Sequence, residues 1–72
     1  MTNAEKIARA RIATLTTADL VKQFELTDKM EISTEVAIVR GWLMDELEKR
    51  NPEAFDAWID SDEGSPRNYF AA

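Results

Sequence analysis

Asp60-Ser61-Asp62-Glu63-Gly64 is a place where oxygen ligands crowd together in the chain. A calcium loop of the EF-hand type needs an oxygen ligand at its fifth position, glycine at its sixth and a bidentate glutamate at its twelfth. Counted from Asp60, those positions hold Gly64, Ser65 and Ala71, so the segment reads as a solvated acidic loop. Glu46 is a second candidate: it falls within an apolar helical arc, between Trp42 and the Val39/Leu43 side, where a carboxylate could do chemistry. Its structural readings are an ion pair with Arg50, one turn on, or a place at the edge of the stripe. The acids of residues 45–63, with Glu48, Glu53 and Asp56 among them, could be drawn as a glycosidase pair or a magnesium site. Acids on a solubilising helix face are far commoner, and so short a chain cannot enclose a cleft around a sugar. Trp42 and Trp58 could form an aromatic platform or partner hot spots, although their Leu and Val neighbours at helical spacing favour the core. Arg40 and Gly41 precede Trp42. A mid-helix glycine costs about 1 kcal/mol relative to alanine; its return would be close approach of another helix, and simple tolerance is the equal alternative.

The composition narrows the chemistry further. The 72 residues include no cysteine and no histidine, with 14 acids against 9 bases for a net charge of -5. Disulfides, thiol nucleophiles and cysteine-held metals are excluded, and the commonest acid–base group and transition-metal ligand is absent. No enzyme activity and no cofactor is expected. One small domain is the ceiling, and below roughly 70–80 residues a single core seldom supplies more than about 3–5 kcal/mol. Such a chain gains from a partner or a second copy. The longest strictly apolar run, Val36-Ala37-Ile38-Val39, is too short to span a bilayer, and no leader is visible, so a cytoplasmic location is expected.

The charge is dipolar. Residues 1–24 hold Lys6, Arg9, Arg11 and Lys22 against Glu5 and Asp19, a net of +2, while the remainder carries -7. Segment 45–63 alone holds -6. A surface of that sign repels nucleic acid and attracts basic partners.

These side chains are positioned by helices, and the fold class expected is all-α, a small three- to four-helix bundle. Thr2-Asn3-Ala4-Glu5 has capping-box form and opens a helix near 3–13 with a thin apolar face of Ile7, Ala8 and Ile12. Thr16 as N-cap, with Leu15 and Leu20 at staple spacing, opens a second near 17–26, with Leu20, Val21 and Phe24 on one face. Residues 27–32 read as a connection with two apolar anchors, Met30 and Ile32. Ser33 or Thr34 opens the clearest helix, 34–50. Its stripe Val36, Val39, Leu43, Leu47 is widened by Ile38 and Trp42, which predicts a central helix packed on more than one side. Asp45 with Lys49 and Glu46 with Arg50 are acid-before-base pairs at i,i+4. Asn51-Pro52 starts a fourth helix, 52–60, with Phe55, Trp58 and Ile59 as its stripe. A last turn over 66–70 returns Tyr69 and Phe70 to the body. Residues 1–13 and 61–72 are expected to be the most loosely held.

The stretch from Val39-Arg40-Gly41-Trp42-Leu43-Met44-Asp45-Glu46-Leu47-Glu48-Lys49-Arg50 through Asn51-Pro52-Glu53-Ala54-Phe55-Asp56-Ala57-Trp58-Ile59 resembles a segment of small uncharacterised bacterial proteins, often carried by phages, plasmids or other mobile elements. The resemblance implies a bacterial or phage setting and brings no functional residues with it.

Three readings follow. The first is a non-enzymatic protein–protein interaction or regulatory module, binding another protein or itself, with Arg40, Trp42, Glu46, Glu48, Glu53, Asp56 and Trp58 as candidate contacts. The second is an acidic mimic of DNA that occupies a basic nucleic-acid-binding protein. The third is a weak nucleic-acid-binding regulator acting through Lys6, Arg9 and Arg11. A helix-turn-helix is disfavoured by the long connection and by Glu35 leading the would-be recognition helix. No membrane partner is expected. A mimic needs carboxylates along one exposed ridge, whereas an interaction module needs an exposed apolar patch.

Overall fold

Four threonine, serine and asparagine side chains set where the chain turns helical. In the computed structural model, which describes residues 2–70, Thr2 Oγ1 accepts from the Glu5 amide and Thr16 Oγ1 from the Asp19 amide, both at 3.1 Å. Ser33 Oγ accepts from the Val36 amide at 3.2 Å and Asn51 Oδ1 from the Ala54 amide at 3.1 Å. Each cap satisfies a donor that the first helical turn leaves without a partner. The helices that follow are α1 (Asn3–Thr14), α2 (Thr17–Asp28), α3 (Thr34–Arg50) and α4 (Pro52–Ser61), with a last turn α5 (Arg67–Phe70). No strand occurs among the described residues, and the fold is all-α. Met1, Ala71 and Ala72, the ends of the two segments expected to be loosely held, lie outside the described residues.

α3 is the centre of the bundle. It packs against α1, α2 and α4, while α5 rests on α2 and α4. The core is Leu20, Val21 and Phe24 of α2, Leu43 and Leu47 of α3, Trp58 of α4 and Phe70 of α5. Burying a side chain of this kind stabilises by roughly 1.5–3 kcal/mol before entropy is counted. Ile12 and Leu15 bring the end of α1 onto the same cluster. α1 is also latched by charge: Arg9 reaches Asp45 at 3.2 Å, and Arg50 donates to the Ala13 carbonyl at 3.2 Å. A cation on the last carbonyls of α1 complements the negative end of its dipole.

The C-terminal turn is clasped to α2. Arg67 grips Glu25 with both arms of its guanidinium, Nε on Oε2 at 2.9 Å and Nη2 on Oε1 at 2.5 Å, and the Ser65 hydroxyl donates to Oε2 at 2.7 Å. The Arg67 hydrogen bonds, helped by Ser65, hold the Glu25 carboxyl at about 2, against an ordinary 4.5. The same contact raises the Arg67 pKa.

Several sequence expectations are corrected. α2 runs on to Asp28, with Thr27 buried on its core side and its hydroxyl donating to the Phe24 carbonyl at 2.6 Å. Met30 and Ile32 are not anchors: they are 54% and 96% exposed. The apolar arc of α3 is only partly covered. Leu43 and Leu47 are buried, Val36 is half-buried, and Ile38 and Val39 are exposed. Ile59 of α4 is also exposed. Asp45 pairs with Arg9 across the α1/α3 interface instead of being held by Lys49. Gly41 is not a point of close approach, since a Cβ there would meet nothing within 4 Å.

Candidate interaction groove

α1 and α2 lie on the same central helix and leave a groove between them. Ile12 of α1 and Leu15 just past its end line one side, Leu26 of α2 and Met30 in the connection after it line another, and Val36 and Val39 line it from α3. Its volume is about 330 Å3, and the buried Leu43 closes it below. The reason lies in the stripes. α2 turns Leu20, Val21 and Phe24 into the core, which leaves Leu26 on the next face round, and Met30 follows in the connection just past the helix. α3 turns Leu43 and Leu47 into the core and keeps Val39 one turn and Val36 two turns before Leu43.

The groove walls are almost wholly apolar. Thr27 also contributes, but its hydroxyl hydrogen is already given to the Phe24 carbonyl. Charge enters through two exposed side chains, Arg11 on α1 and Glu35 on the first turn of α3. The apolar surface continues over α1, where Ala4, Ile7 and Ala8 join Val39 and Trp42 around a second hollow. Ile7 is 57% exposed and Leu26 48%. A contiguous patch of large apolar side chains with a few charges at its edge is the usual mark of a binding surface. What it offers chemically is desolvation: an apolar side chain seated here loses water where it faces the walls and meets few polar groups there.

The sequence-derived candidates are scattered relative to this face. Trp58 is in the core, edge-on to Phe24 and Phe55, with its indole N–H donating to the Glu63 carbonyl at 2.9 Å. Trp42 is half-buried between α1 and α3, with the Arg9 guanidinium 5.9 Å from its ring centre. Beside it, Glu46 accepts from Arg50 at 2.8 Å, the i,i+4 pairing expected of it. Arg40 covers the Phe24 ring at 4.5 Å and pairs with Asp28, on the side of α3 facing Met30 and Ile32. Glu48, Glu53 and Asp56 are exposed, and none of the three lines the groove. Of the candidates Trp42 borders the apolar face over α1, and Arg40 lines a neighbouring hollow that shares Met30 and Val36 with the groove. Sequence reasoning missed Ile7, Leu26, Met30 and Val39 as one surface. The available signal was an excess of apolar positions over what three core-facing stripes can bury, most plainly Met30 and Ile32 in a connection.

The acidic loop closes α4. Asp62 takes the left-handed conformation at φ 62°, which ends the helix and lets the chain double back to Pro66. Among the described residues no group of three or more potential ligands is placed to hold a metal ion. No helix there is long and apolar enough to cross a membrane. Comparison with protein-family models, with curated proteins and with solved structures gives no match.

Proposed function

We propose that this chain is a non-enzymatic protein–protein interaction module whose working surface is the α1–α2–α3 groove and the adjoining face of α1. The observation that carries this reading is the exposure of Ile7, Leu26, Met30 and Val39 around a preformed apolar groove. A domain with so little core does not leave large apolar side chains in water at no cost; each stabilises the folded state only when covered. The resemblance of residues 39–59 supports a bacterial or phage setting, and a cytoplasmic location belongs to the same proposal.

A second reading rests on Glu48, Glu53 and Asp56, which are exposed and form no ion pair among the described residues. In that reading the acidic surface of 45–63 occupies a basic nucleic-acid-binding protein. Third in order stands the basic first helix as a nucleic-acid contact, now short of Arg9, which is taken up by Glu5 and Asp45.

A photo-crosslinking residue at Leu26 or Met30, and separately at Glu48 or Asp56, distinguishes them in the native cell. Adducts with protein from the groove positions and not from the acidic ones support the interaction module. Adducts from the acidic positions alone favour the mimic, and silence at the groove rules the groove out as the working surface.

A further inference from the structure

The occupant of the groove is written in its two charges. Resting on the interaction-module reading, we propose that the groove receives a second copy of this chain, related by a two-fold axis, with Arg11 of each copy on Glu35 of the other. The chain has five arginines, and Arg9, Arg40, Arg50 and Arg67 are all in ion pairs with its own carboxylates. Arg11 is in none among the described residues, is exposed, and lines the groove. Glu35 is likewise exposed, outside those pairs, and on the same groove from a different helix. A positive group on one element and a negative group on another, both at one apolar surface, are what a two-fold contact needs, because each then meets its opposite twice.

The rest of the charge distribution fits the same partner. α1 carries Lys6, Arg9 and Arg11 against Glu5, whereas residues 31–35 contribute Glu31 and Glu35 with no base. The strongly acidic segment 45–63, which would repel a second copy, contributes no residue to the groove. The part of α1 that would lie over the other copy presents Ala4 and Ala8 around Ile7. Small side chains there let the helix approach closely, and Ile7 with Arg11, one turn apart, supply an apolar anchor and a charge from one face.

Two single substitutions test this, read by sedimentation or native mass at micromolar concentration. The unaltered chain is expected to show a concentration-dependent dimer. Arg11→Glu alone sets like charges against Glu35 at both contacts, and Glu35→Arg alone does the same against Arg11. Each should weaken dimerisation by on the order of tenfold or more. Arg11 also stands at the negative end of the α1 dipole and Glu35 at the positive end of α3, so each variant should lose a little helix stability as well, and only restored pairing in the mixture separates lost pairing from that loss. Mixed in equal amounts, the two variants restore opposite charges at both contacts, and a one-to-one mixed dimer should reappear. A monomeric unaltered chain, or single variants that dimerise as well as it does, or a mixture that fails to pair, overturns the proposal. Groove crosslinks to other proteins from a chain that is monomeric when pure would overturn self-pairing and leave the interaction module standing. Silent groove positions would remove both.

Discussion

The Trp58 indole stands perpendicular to the Phe24 ring, with their centroids 5.1 Å apart, and this contact joins α4 to α2 through the middle of the core. An edge-to-face pair of this kind contributes roughly 0.5–1.5 kcal/mol beyond the area it buries. Because Trp58 also donates its N–H to the Glu63 carbonyl, the same side chain fixes the turn that follows α4.

Trp58→Ala should therefore do more than remove one core residue. The expected loss is about 3–5 kcal/mol, comparable to the whole stability of a domain this size. Urea unfolding followed by circular dichroism should show no folded baseline at ambient temperature. A cooperative transition with a midpoint close to that of the unaltered chain would contradict the assigned core.

Gly41→Ala should stabilise the fold. The glycine is helical with ordinary backbone angles, and a Cβ there meets nothing within 4 Å. Relief of the glycine penalty, about 0.5–1 kcal/mol, corresponds to a rise of roughly 2–8 °C in Tm for a domain of this length. A fall in Tm would mean that another helix does press on this position.

Arg40→Lys tests the cover over Phe24. The guanidinium lies 4.5 Å from the ring centre and is paired with Asp28, and a lysine keeps the charge while losing the flat face. A loss of roughly 0.5–1 kcal/mol is expected, seen as a lower urea midpoint with the slope unchanged. No change would assign Arg40 to the surface alone.

The Glu25 clasp predicts a specific acid sensitivity. Its carboxyl titrates at about 2 in the folded chain against 4.5 ordinarily, so the folded state binds fewer protons than the unfolded one between those values. The stabilisation is complete above the ordinary value and falls away as the pH drops through that window. Glu25→Gln should remove this part of the pH dependence, leaving urea midpoints of variant and unaltered chain closer together near pH 3 than at neutral pH. A gap that stays constant between the two would mean that Arg67 and Ser65 do not hold Glu25 in solution.

The helices were legible because their signals are local. Thr2, Thr16, Ser33 and Asn51 each cap within three residues of themselves, and the element boundaries follow from them to within two residues. Trp42 and Trp58 had equal standing in the sequence, since helical spacing says only which face a residue shares. Their different fates depend on which helix lies opposite, and that is decided at long range. The ion pairs divide the same way: Glu46–Arg50 is one turn apart and was readable, whereas Arg9–Asp45 and Arg67–Glu25 span 36 and 42 residues. The surplus of apolar positions hinted at an uncovered surface, but its location was not readable, as the groove exists only once α1 and α2 have both settled on α3.

The central claim is that the apolar groove, and not the acidic surface, is where this chain meets another. The most direct measurement is the native mass of assemblies in lysate for the unaltered chain, for Leu26→Asp with Met30→Asp, and for a chain with Glu48, Glu53 and Asp56 reversed in charge. The prediction is an assembly heavier than the 8.2 kDa chain that survives the charge reversal and collapses to the single chain with the two groove substitutions. An assembly that ignores the groove substitutions and dissolves on charge reversal would contradict it, as would a chain that is monomeric throughout.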